Sequence, residues 1–202
     1  MTQAISKLMS FDEFLEGKPE NGRYELHNSV MVEMPNPTGK HSASAGFQAI
    51  ELGLEIRRLQ LPYFIPKECT IKFNDNSGYA PDVIVLDKQA VEANESGWER
   101  ESVITQGNSV KLVIEVVRTN WRDDYAHKMI DYEALGIPEY WIVDYLGLGG
   151  SRYIGYPKQP TLSVYQLVDG EYEIKLFRGE ERIESAVFPE LNLTAKQIFN
   201  GG

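Results

Sequence analysis

The sequence predicts an α/β fold: a mixed central sheet flanked by helices, with antiparallel hairpins at its edges. Three observations carry that expectation. Strand–helix–strand order runs through residues 110 to 143, as in a βαβ crossover. The run Leu112-Val113-Ile114-Glu115-Val116-Val117 is apolar on both alternating faces, so it reads as a central strand covered on both sides. Arg23 to His27 and Val30 to Met34 are short strand patterns separated by Asn28-Ser29, a hairpin signal. The chain has 202 residues, 42% hydrophobic and 25% charged. That supplies one sizeable core and favours one domain over residues 1–202.

Each element follows from local chemistry. Ser10-Phe11-Asp12-Glu13 has the form of a capping box opening a short helix, which Gly17 to Gly22 breaks. Pro35 and Pro37 end the first hairpin. A long helix is predicted from Gly39 to Leu61, with Phe47, Ile50, Leu54 and Leu61 near its apolar stripe. Strands follow near Tyr63 to Ile65 and Thr70 to Phe73, and residues 74 to 78 are turn chemistry. Ala80-Pro81-Asp82 leads into the apolar strand Val83 to Leu86. Residues 88 to 109 are polar and weakly patterned and predict a mobile loop. After the Glu115 strand a helix is predicted from Asp123 to Leu135, stopped by Gly136 before Pro138. Tyr140 to Val143 forms the next strand. Two β-rich segments, near Leu162 to Leu167 and Tyr172 to Phe177, precede a terminal helix from Thr194.

Composition narrows the function classes. No run of 18 apolar residues suggests a membrane span, and Met1 to Met9 lacks the apolar core of a secretory signal. Cys69 is the single cysteine, so an internal disulfide and a cysteine metal cluster are excluded. A cytoplasmic protein is expected. Thirty acidic against 20 basic residues give a net charge of -10, which disfavours strong generic nucleic-acid binding. One local basic strip stands out, Arg118 and Arg122 flanking Trp121.

Glu115 is the anomaly. An unpaired carboxylate in a buried strand costs several kcal/mol or takes up a proton. At 100° per residue, Tyr125, Met129, Tyr132, Leu135 and Gly136 share one stripe of the following helix, and Lys128 falls within its arc. A helix packed back on its strand would bring Lys128 towards Glu115. Two readings fit: a structural buried ion pair, or part of a site. With Asp82 at the mouth of a neighbouring strand, two carboxylates and a lysine also suit phosphodiester hydrolysis. Hard oxygen ligands hold Mg²⁺, and a lysine holds or deprotonates water and offsets transition-state charge. His41, at a helix start, is ordinary for a solvated histidine, and His27 and His127 have no zinc spacing. No nucleophile elbow or phosphate loop is present.

The order Pro81-Asp82, Glu115 and then a lysine resembles the PD-(D/E)xK phosphodiesterase superfamily, the restriction-endonuclease-like fold. Surrounding words sharpen the resemblance: Arg23-Tyr24-Glu25-Leu26, Glu33-Met34-Pro35, His41-Ser42, Pro81-Asp82-Val83, Ile114-Glu115-Val116-Val117, the run Tyr132 to Asp144, and Phe188-Pro189. In this order they are similar to the Uma family, whose members are described as restriction endonucleases, over about Ser10 to Phe199. The resemblance implies Mg²⁺ or Mn²⁺ on Asp82, Glu115 and the backbone carbonyl of Val116, with DNA as substrate. It also implies Glu25 as an accessory acidic residue. The superfamily's usual lysine lies two residues after the glutamate, where this chain has Val117; the family pattern is that of a lysine moved to the following helix, which Lys128 matches. A non-catalytic binding or assembly module that keeps the fold, and a hydrolase of a smaller phosphoester, are the competing functions. A homodimer is expected by analogy with nucleases that cut both strands of a duplex.

Overall fold

The computed structural model describes residues 8–202. In chain order its elements are α1 (Phe11–Gly17), β1 (Arg23–His27), β2 (Val30–Met34), α2 (Gly39–Arg58), β3 (Tyr63–Phe64), β4 (Thr70–Asn74), β5 (Ser77–Tyr79), β6 (Val83–Asp87), α3 (Lys88–Asn94), α4 (Trp98–Glu101), β7 (Val103–Ile104), β8 (Val110–Val116), α5 (Met129–Ala134), β9 (Glu139–Asp144), α6 (Ser151–Ile154), β10 (Thr161–Val168), β11 (Glu171–Phe177) and α7 (Ala195–Asn200). A π-helical turn, Asp123–Lys128, runs directly into α5.

The predicted α/β class holds, with the strands divided between two mixed sheets. One has the order β2-β1-β5-β4-β7 and the other β11-β10-β9-β8-β6-β3. In the first, β1 and β2 form the predicted hairpin, with Arg23 opposite Met34 and His27 opposite Val30. Asn28 and Ser29 both adopt positive φ (49° and 67°), the turn geometry whose twist matches paired strands. In the second, β8 lies between β6, antiparallel, and β9, parallel, with Glu115 beside Ile142. The parallel pair is the expected βαβ crossover, and Gly136 ends its helix in the left-handed region (φ 76°).

β8 is buried on both faces, which explains its continuous apolar run. Leu112, Ile114 and Val116 enter one core with Leu52, Trp141 and Phe188. Val113 and Val117 face the other way, into a core with Tyr125, Tyr132 and Tyr140. Strand alternation puts the Glu115 side chain on this second, tyrosine-rich side. A third, smaller core joins α1 to β1 through Phe11, Phe14 and Leu26. The Ser10–Glu13 capping box forms as predicted.

Two expectations fail, the second in part, for physical reasons. Residues 88–109 are not a loop: Asp87 caps α3, and Glu95 accepts bonds from the amides of Thr105 and Gln106, folding the polar stretch onto itself. The stripe expected on α2 holds only in part: Phe47 and Leu61 pack against the main core, whereas the two expected positions between them do not. Ile50 and Leu54 are exposed (63% and 45%), while His41, Ser44, Gln48, Leu52, Glu55 and Ile56 are buried. Ser44 Oγ donates to the carbonyl of Ile198 at 2.9 Å and Gln48 Nε2 to that of Ser44 at 3.1 Å, so this polar face is bonded rather than solvated.

Glu139, fully buried at the start of β9, anchors the C-terminal segment. Its carboxylate accepts from Trp141 Nε1 (2.6 Å), Ser185 Oγ (2.7 Å), and the amides of Ala186 (2.7 Å) and Val187 (3.1 Å). Glu139→Ala removes the acceptor of four donors, two of them buried, and a loss of about 3 kcal/mol is expected in urea unfolding. A loss below about 1 kcal/mol would show that the segment is held elsewhere.

Candidate active site

Four short elements bring their polar side chains to one point. Arg23 and Glu25 are two residues apart on β1 and therefore share a face. Asp82 follows Pro81 at the entry to β6. Glu115 stands near the C-terminal end of β8. Lys128 is the last residue of the π-helical turn, where it is 1% exposed. A π turn shifts the helical phase, and here Asp124, Tyr125, Lys128 and, one turn on, Tyr132 are all buried.

Lys128 is the hub. Its Nζ donates to Glu25 Oε1 at 2.9 Å and to Glu115 Oε1 at 3.0 Å, and lies 3.7 Å from Asp124 Oδ1. Tyr132 OH also donates to Glu115 Oε1, at 3.2 Å. Glu25 is completed by the amide of Ala80 (3.0 Å) and by His27 Nε2 (2.8 Å). The ring of Tyr79 lies 5.6 Å below the ammonium, and its hydroxyl is tied to Asp131. Asp82 forms a second node. One oxygen accepts from Arg23 at 3.1 Å; the other accepts from the amide of Val116 at 2.9 Å and lies 3.1 Å from His41 Nε2. The His41 ring is 2% exposed, and neither of its nitrogens makes a hydrogen bond of good geometry among the described residues, Nε2 meeting Asp82 by proximity alone.

Charge is unevenly matched. Burial pushes every carboxyl here upwards, but Lys128 and His27 overcome it at Glu25, which is lowered to about 2. The close approach of His41 and the bond from the Val116 amide, with Arg23 nearby, likewise bring Asp82 to about 2. Lys128 draws the other two downwards as well, but not far enough. Burial, with the charges of neighbouring carboxylates added, holds Glu115 well above its ordinary range and lifts Asp124 to about 7. Burial would depress the Lys128 ammonium, yet Glu115, Glu25 and Asp124 hold it well above its usual value. One buried cation faces three carboxyls, leaving an excess of acidic groups over cations to balance them.

A cavity of about 20 Å³ opens onto this excess, lined among others by Asp82, Glu115, Val116, Asp124, Lys128 and Arg118. That is room for one water-sized particle. It adjoins a groove of about 990 Å³ that shares Arg23, Ala80 and Asp82 with it. Among the described residues no three His, Cys, Asp or Glu side chains are set to hold a metal ion by themselves. Hard oxygen donors in an anionic, single-particle cavity nevertheless suit Mg²⁺, which binds through one or two carboxylates and keeps waters.

The sequence-predicted set of Glu25, Asp82, Glu115, Val116 and Lys128 is thus brought together around one cavity. Sequence reasoning left out four neighbours. Arg23 could have been found by its i, i+2 spacing to Glu25, and Asp124 and Tyr132 by their four-residue spacing to Lys128. His41 reads as solvated in the sequence and is buried against Asp82 instead, because α2 turns its polar face inwards. His127 is exposed, 3.4 Å from Asp123, and takes no part in the cluster.

Two mixed sheets flanked by helices, with an acidic cavity at the ends of β6 and β8, define a protein of the restriction-endonuclease-like nuclease fold. The chain belongs to the Uma2 family, described as "Putative restriction endonuclease", whose model matches residues 11–196. A crystal structure described as a "putative nuclease belonging to DUF820", from Anabaena variabilis, is similar over 96% of this chain and 98% of that one, with a TM-score of 0.71 and 18% identity. That likeness is one of fold. No curated protein matches the chain. Family and fold together support a nuclease-like function.

The charge imbalance has a pH signature. An Asp124 raised from 3.8 to about 7 keeps its proton in the folded state while the unfolded chain has released it, so this group's contribution falls as pH rises through that window. Glu25 and Asp82 act oppositely: their contribution is present above about pH 4 and lost as pH falls towards about 2. In EDTA, the urea midpoint of the wild type is expected to decline from about pH 4 to about 7, and Asp124→Asn should flatten that decline. Parallel profiles for the two proteins would rule out Asp124 as its source.

Proposed function

We propose that the protein is a divalent-cation-dependent nuclease that hydrolyses DNA phosphodiester bonds. The observation that carries this reading is the excess of buried carboxylate around a single-particle cavity, in a chain of a nuclease-like family. Asp82, Glu115 and the carbonyl of Val116 would hold Mg²⁺ or Mn²⁺. Such an ion, when bound, polarises a phosphate and lowers the pKa of a coordinated water. It also offsets the charge that now lifts Glu115 and Asp124.

The protein's own groups divide the remaining work. Lys128 has three N–H bonds; Glu25 and Glu115 take two, and the third is left for the cavity. Held firmly protonated, it acts as a donor that positions the attacking water and offsets charge on the phosphate, rather than as a base. Glu25 holds the ammonium in place from the opposite sheet. Arg23 fixes Asp82 through Oδ1 and its own position through the carbonyl of Ala80 at 2.9 Å. Arg118, at the cavity rim and bonded to the carbonyl of Pro35, is placed to meet a phosphate. In this reading the chain acts as one domain and pairs with a second copy when both strands are cut.

Cleavage of labelled DNA in Mg²⁺ or Mn²⁺, abolished by EDTA, is the expected activity. Asp82→Asn and Lys128→Gln should each lower its rate by roughly 10²- to 10⁴-fold. Mn²⁺ titrated calorimetrically should bind the wild type and not Asp82→Asn. Equal binding, or binding to neither, would overturn the metal assignment. A folded wild type that binds DNA without cutting it would instead favour a binding module, and turnover of small phosphodiesters alone would favour the smaller substrate.

A further inference from the structure

The segment after Glu115 carries a second feature that phosphodiester chemistry does not need. Trp121 is half-buried, with the Arg122 guanidinium 4.8 Å from its ring centre and Lys158 Nζ at 6.0 Å. It packs edge-on to Tyr125 (6.4 Å) and Tyr153 (6.2 Å), and Arg152 sits 5.1 Å over Tyr153. Gly150 makes the approach possible, since a Cβ there would meet the Trp121 ring at 3.0 Å. On the same 151–158 stretch Tyr156 is 90% exposed, with nothing of the protein to cover its ring. Two stretches from different parts of the chain thus bring the Trp121 and Tyr153 rings and three cations together, and Tyr156 follows on the second of them.

Arg122, Arg152 and Lys158 form no ion pair among the described residues; Lys158 Nζ donates only to the carbonyl of Leu148, at 3.3 Å. The neighbouring acid, Asp123, is engaged by Asn120 Nδ2 (3.2 Å) and His127 Nδ1 (3.4 Å). In a chain of net charge -10, such a cluster is a local exception. It is also continuous with the site: Arg118 and Asn120, on the same segment as Trp121, line the acidic cavity.

We propose that Trp121 and Tyr156, with Arg122, Arg152 and Lys158, form a platform for single-stranded DNA leading away from the cavity, with Tyr153, stacked on Tyr125 at 5.0 Å, as its half-buried support. The preferred substrate then carries unpaired nucleotides beside the scissile phosphate. Ring faces interleaved with cations fit bases whose own faces are free, and those of a continuous duplex are buried in its stack. An acidic protein gains little from broad contact with duplex phosphates, so affinity must come from stacking and a few local charges. This rests on the nuclease reading for the position of the scissile phosphate, and its test is therefore a binding measurement without cleavage.

Labelled single-stranded DNA and a duplex of the same sequence would be titrated in EDTA by fluorescence anisotropy. Single strands are expected to bind tighter, and Trp121→Ala and the fully exposed Tyr156→Ala to weaken that binding by roughly 5- to 100-fold each. Lys158→Glu and Arg152→Glu should lower affinity and make the salt dependence shallower. The inference falls if none of the four variants changes single-strand affinity, or if duplex binding weakens equally. Because Tyr156 takes no part in packing, a misfolded Trp121 variant does not decide the matter. Patch-dependent binding without metal-dependent cleavage supports the platform and removes the nuclease reading; cleavage with patch-insensitive binding removes the platform alone.

Discussion

Three buried carboxyls around one buried ammonium is the constraint on which the rest of the molecule depends. Desolvating each of these ions costs several kcal/mol, and a packed apolar cluster of the same volume would often be as stable or more so. The arrangement is therefore not explained by stability. Lys128 Nζ bridges Glu25 on one sheet and Glu115 on the other, so the two sheets are held in register by a polar contact in the interior. An opening that separated the sheets would leave at least one charge buried and unpaired.

Much of the surrounding structure serves to keep that cluster in one geometry. Tyr132 fixes Glu115, Tyr79 covers the ammonium while its hydroxyl is held by Asp131, and His27 closes Glu25 from the outer side. Asp82 is held the same way by Arg23, His41 and the amide of Val116. These supports come from β1, β5, α2 and α5, so the polar face of α2 finds its reason here. A helix that must deliver His41 to Asp82 and Ser44 to the α7 carbonyl cannot also turn Ile50 and Leu54 inwards. Perturbed carboxyls gathered at a cleft mark a candidate functional site.

What the sequence made legible were features with a single local solution. The Asn28-Ser29 hairpin, the doubly covered β8, the capping box at Ser10 and the Gly136 stop each follow from short-range chemistry, and Glu115 stood out because it broke a pattern. Features set by long-range partners were not legible. The inward face of α2 depends on Asp82 and Ile198, 41 and 154 residues from the residues they meet. The folding of residues 88–109 depends on one buried glutamate, Glu95, gathering amides that look unstructured in sequence. Asp124 lies only about 40° from Lys128 on a helical wheel and so was within reach of the periodicity, but a charged residue at the edge of an apolar stripe reads as solvated until the turn is seen to bury it. The division into two sheets is likewise a matter of pairing between strands distant in the chain.

Val117 is the departure that the resemblance to the wider superfamily leaves open, and the geometry gives it a physical account. Residue 117 lies two beyond Glu115, on the same side of the strand, and its side chain is packed in the tyrosine-rich core with Tyr125 and Ile154. A lysine there would reach from the strand that carries the glutamate and would be confined to that strand's sheet. Lys128 reaches the same side of Glu115 from the following helix, with its stem buried, and from that direction it also meets Glu25 on the other sheet. An ammonium thus stands beside Glu115 although residue 117 is a valine. The exchange adds a contact between the two sheets that a lysine rooted in β8 would have to span the cavity to make.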